Sequence, residues 1–179
     1  FQVGQTGLIG NPGSRFESGV YMYGHGFALL FLSSVVGEEE NAAKRTKLNK
    51  QLELAAKYTR DAQTNRGGWG YGPAEDGNNF DEGSVTITQV QALRAARNAG
   101  VIVPNDAIKD AIKYLKDSTN EEGGVVYSLA WGGGGGRGSG RPSLTAAAAT
   151  GGPTFRPLTK APVGALTAET SATRDSRAA

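Results

Sequence analysis

The sequence predicts an all-α fold built as a stacked array of helical pairs. Segments that are apolar on nearly every side alternate with segments that carry a single apolar stripe. A helix of the first kind must be covered all round and one of the second kind is half wet, as inner and outer helices are. The pairs Gly67-Gly68 and Gly123-Gly124 each follow a one-stripe segment and stand 56 residues apart, with aromatics just beyond (Trp69 and Tyr71, then Tyr127). A helical-pair repeat of that length marks a stacked α/α array.

Residues 1–20 are Gly-rich, contain an Asn-Pro step and hold no sustained period, so they read as a leading loop. From Tyr21 to Gly37 the chain is apolar on almost all sides after His25, which predicts an inner helix stopped by Gly37. A charged stretch leads into a second helix over about Asn41–Ala62. Leu48, Leu52, Ala55, Tyr58 or Thr59, and Ala62 recur at steps of three and four, leaving a wet face of Lys, Asn, Gln, Glu and Arg.

The pattern then repeats. Ser84 is placed to cap an inner helix from Val85 to about Ala99, with Gly100 at its C′ position. Asn105 is placed to cap a shorter outer helix carrying Ile108, Ala111, Ile112 and Leu115. A third unit opens with a Gly-rich loop from Trp131 to Arg141 and the start of another inner helix over Pro142–Ala146. The repeats therefore span 21–149. Residues 150–179 lose all apolar period and read as a disordered tail, either a genuine extension or the product of a shifted reading frame.

Composition narrows the function classes. A net charge of +2 with interleaved signs, and no basic cluster among aromatics, excludes a nucleic-acid partner. No apolar run reaches the roughly 18 residues of a membrane span. The absence of cysteine excludes thiolate metal ligands and fits either redox compartment. The chain opens on Phe1 rather than Met, so its compartment is left open.

Gln63, Gly67 and Trp69 stand as Q-x-x-x-G-x-W, and Thr119, Gly123 and Val125 form a degraded second copy. The first spacing resembles the QW motif of the prenyltransferase and squalene-cyclase repeat family. Together with YGHGFALLFLSSVVG and SVTITQVQALRAARNAG, it is most similar to bacterial proteins of the prenyltransferase and squalene-oxidase repeat type. The resemblance covers about residues 20–149. It implies a partial α/α toroid, in which each QW motif ties an outer helix to the turn beneath it. About two pairs and part of a third stand where a closed ring needs about six, so the chain reads as a fragment. An isoprenoid small molecule is the substrate the family implies for the complete protein.

The catalytic residues of that family are not visible. A cyclase needs an acid able to protonate an alkene, held in a D-x-D-D cluster, and aromatic faces for the carbocation. The nearest acids are Asp76, Asp81 and Glu82, and none makes that cluster. Asp81 and Glu82 read either as cavity-facing acids or as a solvated turn favouring the helix dipole. His25, the single histidine, reads either as a general base lining a pocket or as a helix-start imidazole bonded to backbone. Trp69 and Gln63 read as packing and capping residues, with a substrate-facing ring as the alternative for Trp69. Zinc of the protein-prenyltransferase kind needs Cys and His ligands the chain lacks, so neither metal nor cofactor is expected. Gly132–Gly136 and the following Arg-Gly-Ser-Gly-Arg lack the order of a phosphate loop and read as a linker. Two functions remain: an isoprenoid-handling enzyme, or a non-catalytic helical scaffold binding a protein or ligand on its concave face.

Overall fold

The computed structural model describes residues 5–74, 79–121 and 123–130. Among these the protein is all-α: α1 (Tyr21–Val35), α2 (Ala42–Asp61), α3 (Gly83–Asn98) and α4 (Asn105–Asp117), with a 3-10 turn over Val36–Glu38. The expected third unit, the tail 150–179 and Asp76 lie outside the described residues. No helix among the described residues is long and apolar enough to cross a membrane.

The helices form two hairpins. α1 packs along α3 in one layer, α2 lies behind both, and α4 lies against α3. The N-termini of α1 and α3 are at the same end, where the Tyr23 hydroxyl donates to Glu82 Oε2 at 3.2 Å. Gly26 sets the closeness of the pair, since a Cβ there would fall 2.6 Å from Gln89 Nε2 and 2.8 Å from Thr88 Cγ2. Gln89 in turn donates from Nε2 to the Met22 carbonyl at 2.7 Å. Met22, Leu29, Leu52, Ala55, Ala56, Trp69, Val85, Leu93 and Ala96 are among the residues of one continuous core.

Helix ends follow local chemistry, and three differ from expectation. Asn41 caps α2 by accepting from the Lys44 N–H at 3.0 Å, as its side chain allows. α3 begins two residues before Val85, and its cap is Glu82, which accepts the Val85 N–H at 2.9 Å; Ser84 instead donates to Glu82 Oε2 at 2.5 Å. The carboxylate reaches the N3 amide and complements the helix dipole, so it displaces the serine. Asn105 is the first residue of α4 and Pro104, extended at ψ 131°, is the last outside it, so no side chain caps that end. Gly37 lies inside the 3-10 turn rather than in a left-handed cap. Gly100 does adopt φ +88° after α3. Its N–H bonds the Arg97 carbonyl at 3.0 Å and that of Val101 bonds Ala96 at 2.9 Å, closing a Schellman motif.

α1 also departs from the expectation that it is covered on every side. His25, Gly26, Leu29 and Ser33 are buried, but Phe27 and Phe31 are 56% and 64% exposed. α3, α2, Ile9 and the Tyr71 turn pack against α1, and Phe27 and Phe31 are its large apolar side chains left exposed among the described residues.

Candidate functional site

The turn Gln63–Gly72 joins all four helices. Trp69 is fully buried. Its indole N–H donates to the Thr59 carbonyl at 2.6 Å, its backbone N–H to Thr86 Oγ1 at 2.9 Å, and its carbonyl accepts from the Glu82 N–H at 2.9 Å. Gln63 Nε2 donates to the carbonyls of Gly67 (2.7 Å) and Ala107 (3.0 Å), which ties the end of α2 to the first turn of α4. Gly67 sits at φ +90°. A Cβ on it would lie 2.2 Å from the Asp110 carbonyl oxygen, so only glycine fits.

The same device recurs after α4. Thr64 N–H to Gly68 O and Gly67 N–H to Thr64 O (both 2.9 Å) have counterparts in Asn120 to Gly124 (2.8 Å) and Gly123 to Asn120 (2.9 Å). Val125, 2% exposed, fills the place of Trp69, and Gly123 takes φ +82°. Tyr71 and Tyr127, 56 residues apart, meet through their hydroxyls at 2.6 Å. That bond from Tyr127, then burial, raises the Tyr71 phenol above its ordinary range.

A further copy lies before α1, inside the segment expected to be a plain leading loop. Gly7 has φ +87°, and a Cβ on it would lie 2.1 Å from the Leu54 carbonyl, as Gly67 stands to Asp110. Ile9, 3% exposed, takes the place of Trp69. Its N–H donates to His25 Nδ1 at 3.1 Å, as the Trp69 N–H donates to Thr86. Met22 N–H bonds Tyr71 O at 3.0 Å and Gly83 N–H bonds Tyr127 O at 2.8 Å. These shared contacts align the turns in the register Gly7–Gly67–Gly123, and α1 with α3 in the register His25–Thr86.

That register defines the role of His25. Nδ1 accepts from Ile9, so Nε2 carries the proton and donates to Thr59 Oγ1 at 2.9 Å, which donates to Ala55 O at 3.0 Å. The ring is fully buried, edge-on to Tyr58 with centroids 5.1 Å apart. Burial disfavours the imidazolium and lowers the His25 pKa from 6.5 to about 4. Because the folded value lies below the unfolded one, this contribution is complete above pH 6.5 and is lost as pH falls toward 4. The loss amounts to about 3 kcal/mol at 1.36 kcal/mol per unit. Urea melts at pH 7 and pH 4 are expected to show it, and a His25→Gln variant is expected to flatten the difference.

Asp81 and Glu82, expected in a solvated turn or facing a cavity, are 0% and 1% exposed. Besides capping α3, Glu82 accepts from Tyr23 and Ser84, whose hydroxyl oxygens also touch. Asp81 Oδ2 accepts from the Tyr114 hydroxyl at 3.0 Å and the Leu129 N–H at 2.7 Å. Its Oδ1 lies 3.7 Å from Arg66 Nη1, whose guanidinium also donates to the Asn79 carbonyl at 3.0 Å. Burial, then the Asp81 charge, raises the Tyr114 phenol above its ordinary range, which keeps it a proton donor to Asp81. His25, Asp81 and Glu82 are thus each engaged at a different seam, and no three metal-ligating side chains gather among the described residues. A polar groove lined by Arg60, Asp61, Gln63, Thr64, Asp106 and Asp110 includes none of them.

Thr59, Thr86, Tyr114 and Ile9 complete the site. The signal for Ile9 is the G-x-I-G spacing of Gly7–Gly10, which matches Gly67–Gly70. No family model, curated protein or solved structure matches the chain.

Proposed function

We propose that the chain is a segment of an α/α-toroid repeat protein of the prenyltransferase and squalene-cyclase type, and that its described part is a non-catalytic scaffold. The observation that carries this reading is the burial of the three described candidates for acid–base work, His25, Asp81 and Glu82. His25 and Glu82 bond into the turn-to-helix seams of successive units, and Asp81 ties the α3 start to α4 and Leu129. A general acid must reach its substrate by direct contact or through one water. Here Glu82 Oε2 already holds a helix amide and a hydroxyl, and Asp81 Oδ2 a hydroxyl and a loop amide, while the buried Asp81 Oδ1 makes no hydrogen bond and lies 3.7 Å from Arg66 Nη1.

A second reading, an isoprenoid-handling parent protein, is favoured by one feature. Tyr23 stacks on Phe27 with centroids 6.4 Å apart, and Tyr23–Tyr71 and Tyr71–Phe80 follow at 6.0 Å each. Such a row of ring faces beside Glu82 suits an apolar or cationic ligand.

Turnover of farnesyl diphosphate and of squalene by the complete parent protein, with and without Glu82→Gln and followed by mass spectrometry, separates the two. The scaffold reading expects no product above the protein-free blank, and a Glu82→Ala loss of about 0.5–2 kcal/mol in stability from the missing cap. Product formation abolished by Glu82→Gln, with an unchanged melting midpoint, would establish the enzyme instead.

A further inference from the structure

The buried carboxylates at the start of α3 are short of positive charge. Asp81 and Glu82 are both buried, and among the described residues the one ion pair to either is that of Arg66 with Asp81 at 3.7 Å. Glu82 has none. The amino end of α3 offsets about half a charge. A negative remainder is left, and a buried charge without a counter-ion is costly. Beside Glu82 stands a row of aromatic rings. Its Oε2 accepts from the Tyr23 hydroxyl at 3.2 Å. The Tyr23 ring has Phe27 on one side, 6.4 Å away and 12° from parallel, and Tyr71 on the other at 6.0 Å. Tyr23 and Tyr71 are half-buried and Phe27 is exposed, so the row opens to solvent at Phe27. The Glu82 charge is felt along the row. After burial at Tyr23, and after the Tyr127 bond and burial at Tyr71, it helps to hold both phenols above their ordinary range.

We propose that this corner binds a small quaternary ammonium ion of the choline kind, held on the rings of Tyr23, Phe27 and Tyr71 with Glu82 as its counter-ion. In the non-catalytic reading, on which this assignment rests, Glu82 supplies charge and transfers no proton. Aromatic faces attract a cation within about 6 Å of a ring centroid. Centroids as close as these let one cation reach two rings at once. A metal ion fits poorly, because rings replace none of its hydration oxygens and no three metal-ligating side chains gather among the described residues. A primary ammonium brings N–H donors that each need an acceptor. Glu82 Oε2 is already taken by Tyr23, Ser84 and the Val85 N–H. A fully methylated ammonium has no N–H to satisfy and needs only the charge and the ring faces.

The test titrates choline chloride into the full chain at low salt, followed by NMR of the backbone amides. A parallel titration uses 3,3-dimethylbutanol, which has the shape of choline without its charge. Saturable one-to-one binding of choline is expected, with the alcohol at least tenfold weaker. Glu82→Gln, which keeps an oxygen for the Val85 N–H, is expected to weaken choline about tenfold. Phe27→Leu, at an exposed position outside the core, is expected to weaken it about threefold. Phe16→Leu, at an exposed ring outside the row, is expected to leave it unchanged. Three results would overturn the proposal: no saturation at tens of millimolar choline, binding indifferent to Glu82→Gln and Phe27→Leu, or equal affinity for the neutral alcohol. The last would give the row to an apolar ligand. Turnover dependent on Glu82 in the complete parent protein would defeat the non-catalytic reading and leave the titration standing, whereas a failed titration without turnover would defeat the ammonium site alone.

Discussion

Replacing Trp69 with alanine is expected to remove about 3–5 kcal/mol of stability, read as a shift of the urea midpoint. The ring is fully enclosed, so truncation opens a cavity lined by the turn and helix ends. A backbone group is also stranded. Gln63 N–H, which would close the α2 ladder on Thr59, bonds Arg60 O at 3.2 Å, and the indole takes the Thr59 carbonyl instead. Trp69→Phe keeps most of the volume but leaves that carbonyl short of a donor, and is expected to cost about 1–3 kcal/mol. Equal midpoints for Trp69→Ala and the parent chain would mean the ring is not packed as described.

The second large effect is expected at Gly67. Alanine there meets two penalties: left-handed backbone at φ +90°, about 1–2 kcal/mol, and a Cβ pressed onto the Asp110 carbonyl, about 1–3 kcal/mol more. Gly123→Ala is the matched control, because it shares the left-handed backbone (φ +82°) but has nothing within 4 Å of the added Cβ. Gly67→Ala should therefore destabilise clearly more than Gly123→Ala. Equal losses would show that the turn does not press on α4, and the tie between units would fail with it.

Periodicity made the four helices legible, because a 3.6-residue pattern is a local property, although part of the apolar surface of α1, at Phe27 and Phe31, is exposed. The ends were less so. Ser84 and Asn105 carry good cap chemistry, yet a cap belongs to the residue where the backbone turns helical, and that is fixed at Glu82 and Pro104. The copy of the turn at Gly7–Ile9 lacks the indole that drew attention to Trp69, so only its glycine spacing announces it. Asp81 and Glu82 beside a glycine look wet in one dimension. Their burial depends on Tyr114, Leu129 and Tyr23, which arrive from distant parts of the chain. The partnership of His25 with Thr59 spans 34 residues and has no sequence signal at all.

His25 offers the most direct test, because its imidazole closes the first unit as the Thr86 hydroxyl closes the second. The chain holds one histidine, so a long-range nitrogen–proton NMR spectrum of the ring needs no assignment. The ring is expected to be neutral, protonated at Nε2 with unprotonated Nδ1, unchanged from pH 8 down to pH 5 and titrating near 4. A ring that exchanges between tautomers and titrates near its ordinary 6.5 would contradict it, placing His25 in the open where a general base could work.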